Sequence, residues 1–193
     1  MRLQRKYTAA MAHVILGLLH FFTQSFYDLI KSFEAGVSLF YSASSGSIKR
    51  AVDNLLSQGL IEVADAEPGP RGRKVYQVTE AGREEFRAWM TGTLTGNLET
   101  AALSRLYFLG LLDADDRRGV LHRIRAAIEG ELGQLTELRE QIRHVDVPDE
   151  LRDVAEFQRA TLEFGIASSQ HALDWFSDLT ETTSRGGANP DPT

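Results

Sequence analysis

"SSGSIKRAVDNLLSQGLIEVADAEPGPRGRKVYQVTEAG", residues 44–82, changes its hydrophobic rhythm twice within a short span. Its first part places Ile48, Val52 and Leu55 at helical spacing, with Leu56 beside them. Ser47, Lys49, Arg50, Asp53 and Asn54 are left on the opposite side. Ser44 or Ser45 can cap this helix through its hydroxyl, and Gly59 suits its end because glycine accepts positive φ at little cost. "LIEVAD" and "RKVYQVT" then alternate in strand fashion around "AEPGPRG", a turn dense in proline and glycine. Thr79 is placed to cap the next helix, which carries Phe86 and Trp89.

Upstream, Val14, Ile15, Leu18 and Leu19 share one face of a helix over residues 8–20. The charged "MRLQRK" before this apolar run resembles a secretory leader, but two histidines interrupt the run and no small-x-small cleavage site follows it. A buried first helix is the expectation. Ser25 and Asp28 have the spacing of a capping box, Phe26, Leu29, Ile30 and Phe33 form the apolar stripe of a second helix, and Gly36 ends it. Three helices followed by a two-stranded hairpin is the order of a winged helix-turn-helix. Its third helix, buried along one side, offers the other side to a major groove wide enough to receive it.

Charge divides the chain. Residues 1–95 hold eleven Lys/Arg against nine Asp/Glu, net +2, whereas residues 96–193 hold ten against eighteen, net −8. The front half tolerates a polyanion and the rear half does not. Beyond "TGTLTGN" the composition turns helical, starting with the apolar "LETAALSRLYFLGLL". Leu121, Ile128, Leu135 and Ile142 then recur every seven residues, with Ile124, Leu138 and Val145 as a second series broken at Glu131. This seam predicts coiled-coil-like packing, either between subunits or within a helical hairpin, since "DVP" lets a last helix fold back. That helix, from Asp149 to about Thr180, carries Ala155, Leu162, Ile166, Leu173 and Phe176 as its inner stripe. The expected domains are therefore a winged helix-turn-helix over 1–95, a helical dimerisation and effector domain over 96–180, and a disordered tail over 181–193. The fold class is mainly α.

The order of these segments resembles the PadR family of transcriptional regulators. "VILGLL", "SFYDLIKSF", "SSGSIKRAVDNLLSQGLIE" and "GPRGRKVYQVTEAG" carry the likeness in the front half, and "LSRLYFLGLL" and "TLEFGIASSQHALDWFSDL" in the rear. The resemblance implies a cytoplasmic homodimer of winged domains joined by C-terminal helices, mostly acting as a repressor on an inverted-repeat operator. Two positions depart from the family. Phe26 stands where glycine usually precedes the tyrosine, and Lys49 stands where the recognition helix usually has tyrosine. Lysine supplies a mobile point charge in place of a stacking donor.

Ser45, Ser47, Lys49, Arg50 and Asn54 on the third helix, and Arg71, Arg73 and Lys74 in the wing, are the candidate contacts to double-stranded DNA. Arg2, Arg5 and Lys6 form a small basic arm that reads equally as a loose terminus. Leu121, Ile124, Ile128, Leu135, Leu138, Ile142, Leu162 and Ile166 are the candidate dimer contacts. Trp89, Trp175 and Phe176 are candidates for lining a small-molecule effector pocket, though aromatics at this spacing also serve as plain core. With no cysteine and no paired-histidine spacing, no metal or other cofactor is expected. No phosphate loop or nucleophile elbow points to catalysis. No stretch is long enough to span a membrane. The competing reading is a winged-helix module for protein or ligand interaction without sequence-specific DNA binding, for which the overall acidity and Lys49 leave room.

Overall fold

The computed structural model describes residues 2–68 and 72–186, with residues 2–10 and 184–186 as backbone only. The chain divides into two compact units, Met1–Asp113 and Ala114–Thr193.

The first unit opens with α1, Arg2–Phe21, longer than its apolar pattern predicts. Val14, Ile15 and Leu16 are fully buried, and Leu18 and Leu19 nearly so, so this helix is enclosed rather than one-sided. A two-residue strand β1, Gln24–Ser25, leads into α2, Phe26–Ala35. The capping box forms as expected: the Asp28 amide donates to Ser25 Oγ at 3.3 Å, and the Ser25 amide donates to Asp28 Oδ2 at 3.0 Å. Helix α3, Ser45–Ser57, follows a short helical turn and is capped by Ser44. The hairpin strands are β2, Ile61–Ala66, and β3, Lys74–Val78. They pair antiparallel with Ile61 opposite Val78, and a bulge between Val63 and Asp65 breaks the register. β1 adds to the other edge of β3, with Gln24 opposite Tyr76, giving the order β1-β3-β2. Two residues carry no periodicity, so this third strand had no sequence signal.

The junction from α3 into the hairpin is tight. Gly59 takes φ of 69°, where a side chain would be strained. Leu60 then sits beneath the start of α4, Glu80–Thr91: its carbonyl accepts from the Thr79 amide at 3.1 Å, and a Cβ on Gly82 would lie 2.0 Å from it. Thr79 Oγ1 donates to the Gly59 carbonyl at 2.7 Å and accepts from the Gly82 amide at 3.1 Å, capping α4.

Helix α5, Leu98–Phe108, packs within this first compact unit, which extends to Asp113. The reason lies in three side chains. The Phe108 ring lies where a Cβ on Gly17 would approach within 2.7 Å, and the Tyr107 hydroxyl lies 2.5 Å from a Cβ placed on Gly36. Arg105, buried, donates to the carbonyls of Trp89 at 3.0 Å and Thr93 at 3.2 Å, closing the exposed C-terminal end of α4.

The second unit is a helical hairpin of α6, Ala114–Ile142, and α7, Arg152–Gly186. Leu121, Ile124 and Ile128 are buried within one copy of the chain, Leu135 and Ile142 are half-buried, and Leu138 is exposed. Leu162 and Ile166 are half-buried on α7, and a Cβ on Gly165, between them, would lie 3.6 Å from Leu135. Arg139 and Glu163 pair across the hairpin at 3.6 Å. Helix continues through 181–186, where an unstructured tail was expected to begin, and the Thr182 and Thr183 hydroxyls donate back to the Asp178 and Leu179 carbonyls. Residues 187–193 lie outside the described residues. Among the described residues no helix is long and apolar enough to cross a membrane.

Gly130 and Gly133 are exposed mid-helix in α6, with nothing within 4 Å of an added Cβ. Alanine at either position should raise stability by about 1 kcal/mol, since glycine is that much poorer in a helix interior. Urea unfolding of Gly130→Ala, Gly133→Ala and the double variant checks this.

Candidate nucleic-acid interface

Helix α3 carries the centre of the site. Ile48, Ala51, Val52 and Leu55 are at most 2% exposed, and this commits one whole face to the core. The remaining positions, Ser45, Lys49, Arg50, Asp53 and Asn54, are all exposed. At the N-terminus Ser44 and Ser47 form a reciprocal cap: the Ser47 amide donates to Ser44 Oγ at 3.2 Å, and the Ser44 amide donates to Ser47 Oγ at 2.9 Å. The Ser47 hydroxyl also donates to the Ser44 carbonyl at 2.7 Å. Ser47 is thus engaged in holding the helix start, and Ser45 is the serine left facing outward.

The wing supplies the second group. Arg73 and Lys74 are exposed where β3 begins, while Arg71 lies outside the described residues, as do the side chains of Arg2, Arg5 and Lys6. The hairpin is closed by the Glu67 amide donating to the Arg73 carbonyl at 2.9 Å. Tyr27, Asp28, Arg73, Lys74 and Tyr76 line an open cleft of about 440 Å³ between the start of α2 and the wing. The short β1–β3 pairing brings these two segments together.

Two carboxylates in this region, read from the sequence only as an outward position and a helix cap, turn out to be partners of candidate cations. Asp53 pairs with Lys49 one turn away on α3. Asp28 Oδ2 accepts from Arg73 Nη2 at 3.0 Å, and also from the Ser25 hydroxyl at 2.6 Å and the Ser25 amide at 3.0 Å. The hydrogen bonds from the Ser25 hydroxyl and amide, followed by that from Arg73, hold the Asp28 carboxyl below its ordinary range. The i, i+4 spacing of Lys49 and Asp53 was legible, but the Asp28–Arg73 contact spans 45 residues and left no local trace.

Trp89 and the Trp175–Phe176 pair lie in different units, and each is engaged inside its own. The Trp89 ring stacks on His13 with centroids 5.0 Å apart, and the Arg105 guanidinium sits 4.7 Å from its centroid. Phe176 is buried and meets Trp175 edge-on at 5.0 Å.

Residues 15–88 match the model of the transcriptional regulator PadR-like family, and residues 101–183 match the virulence activator alpha C-terminal domain. The chain thus carries a PadR-like transcriptional-regulator domain followed by a virulence activator alpha C-terminal domain, the make-up of a two-domain PadR-type regulator. A probable transcriptional regulator of Mycobacterium tuberculosis, Rv1176c, is 23% identical over 189 residues, covering 89% of this chain and 96% of its own length. Among solved structures, Bacillus subtilis PadR in complex with operator DNA is 18% identical, with a TM-score of 0.40 and coverage of 89% and 96%. The Vibrio cholerae virulence activator AphA is 20% identical, with a TM-score of 0.35 and coverage of 91% and 98%. Lys49 stands on α3 where the family resemblance leads one to expect tyrosine, and the structure gives that lysine an acidic neighbour.

Because Asp28 titrates below its ordinary pKa of 3.8 when folded, its contribution to stability is full above that value. It is lost as pH falls below 3.8 through the lower folded pKa. Asp28→Asn should therefore flatten the part of the acid-unfolding curve lying below about pH 3.8, leaving the rest parallel to the parent; chemical unfolding at several pH values measures it.

Proposed function

We propose that this protein is a DNA-binding transcriptional regulator of the PadR-like type that acts in the cytoplasm as a homodimer on an inverted-repeat operator, as a repressor. The observation that carries the reading is the committed burial of Ile48, Ala51, Val52 and Leu55, which turns Lys49, Arg50 and Asn54 outward on a helix of groove-filling size. Lys49 and Arg50, in the first half of α3, are the proposed principal contacts, to phosphate or to a guanine edge. Asn54, near the other end, is a peripheral one. Ser45 is placed to donate to a phosphate alongside the amides of the first turn. Arg73 and Lys74 would lie along the flanking backbone, with Arg71 as the proposed tip contact.

The second unit supports the dimer through a face different from the heptad seam. Val154, Phe157, Thr161, Phe164, Ser168, His171 and Trp175 recur at alternating three- and four-residue steps along α7, and every one is exposed. Phe157 and Phe164 are 73% and 74% exposed, an unusual condition for two phenylalanines on one helical face. Leu162 and Ile166 lie on the opposite side, toward α6. The seam residues Leu121, Ile124 and Ile128 stabilise the hairpin, and the outer stripe of α7 is the surface proposed to meet a second copy. An effector site stays part of the proposal without assigned residues, since Trp89 and Phe176 are occupied in packing.

Selection of bound duplex from a random pool should return an inverted repeat whose half-site spacing measures the separation of the two recognition helices. The double variant Lys49→Ala/Arg50→Ala should lose affinity for that duplex while remaining folded and dimeric. At about 1–3 kcal/mol for each good contact, the loss should be at least ~30-fold. A footprint unchanged from the parent would overturn the assignment of α3. Separately, Phe157→Glu/Phe164→Glu should convert a dimer at micromolar concentration into a monomer with unchanged helical circular dichroism. A parent protein that sediments as a monomer removes the dimer reading.

A further inference from the structure

The cations turned toward the proposed DNA face are only partly free. Lys49 is held by Asp53, with both side chains about half exposed at 52% and 54%. Arg73 is held by Asp28, while among the described residues Arg50 and Lys74 carry no ion pair.

Helix stability does not account for Asp53. A favourable i, i+4 pair places the acid before the base; here Lys49 precedes Asp53, the poorer orientation. Asp53 also lies well past the first turn of α3, where the helix dipole would have favoured a carboxylate, and aspartate is a weak helix former. A carboxylate on the very face that must approach a polyanion needs another reason.

We propose that Asp53 sets sequence discrimination by guarding Lys49; this rests on the DNA-binding reading above. Non-specific binding comes almost wholly from cations neutralising phosphates. A carboxylate within reach of Lys49 lowers its value to any phosphate that merely drifts near, and adds repulsion. In a matched complex the other contacts hold the backbone in register, so a phosphate or base acceptor displaces the weak exposed pair, and Asp53 is released to accept from a cytosine amino group. The guard therefore subtracts more from random duplex than from the correct one. Asp28 stands in the same relation to Arg73, but it also caps α2, so the test is made at Asp53.

The probe is fluorescence anisotropy at fixed salt with two duplexes, the one enriched from a random pool by the parent protein and a scramble of it. Asp53→Asn should tighten binding to the scramble by about two- to fivefold and change the enriched duplex less, so that the ratio falls. In a Lys49→Ala background the same change should have no such effect. Asp65→Asn, which removes an exposed wing carboxylate paired with no candidate cation, controls for charge alone. A scramble affinity that stays put, an equal gain from Asp65→Asn, or a gain that persists without Lys49 overturns the inference while leaving DNA binding intact. A parent protein that prefers no duplex overturns the underlying reading, and the inference with it.

Discussion

The structure of the first unit depends on how completely one side of α3 is buried. Ile48, Ala51, Val52 and Leu55 leave the helix no freedom to rotate about its axis without exposing apolar surface or burying Lys49 and Arg50. The rotation is pinned at the far end as well. The Leu60 carbonyl, one residue past the left-handed Gly59, accepts from Thr79 and is overlaid by Gly82. The helix end, the hairpin base and the start of α4 are thereby joined at one backbone oxygen. An outward-facing row of polar side chains is the consequence of that packing.

Charge on this row is moderated rather than maximised. A front half with net +2 is weakly basic for a polyanion partner, and two of the candidate DNA contacts, Lys49 and Arg73, are matched by carboxylates in the folded protein. Such a surface gains little from phosphate attraction alone, so in the proposed DNA-binding dimer affinity would come from geometry: the helix in its groove, the wing beside it, and a second copy that repeats both. The burden placed on the proposed dimer is correspondingly large. The second unit offers a two-sided helix for that proposed role, α7 packing Leu162, Ile166 and Phe176 inward and carrying Phe157 and Phe164 outward.

The site was legible in the sequence where its signals were local. Ser44, the Ser25–Asp28 box and Thr79 as caps and Gly59 as a stop each act on a group within four residues and were readable as such, whereas Ser47 was read as a DNA contact and the Thr79–Gly59 bond spans 20 residues. Lys49 and Arg50 follow from the helical period of the apolar residues around them. Arg73 was visible as a wing cation, but not as the partner of Asp28, because nothing in the chain between them encodes their meeting. The outer stripe of α7 was overlooked for a different reason. Its members mix phenylalanine, threonine, serine and histidine, so the purely apolar inner stripe dominated the reading.

By itself the sequence determined the main helices and the two hairpin strands, their order and an apolar face on most of the helices, since these rest on periodicity and on capping groups acting within a turn or two. It also carried the family, through the joint order of several modest motifs. Tertiary structure alone decided which unit α5 joins, because the Phe108 ring against Gly17 and Arg105 over the end of α4 are contacts between distant segments. It likewise decided that Leu121, Ile124 and Ile128 are spent inside a single chain. A heptad states that a helix needs a partner; whether that partner is its own neighbour or another molecule depends on where the chain turns back, and that is settled only when the packed surfaces compete.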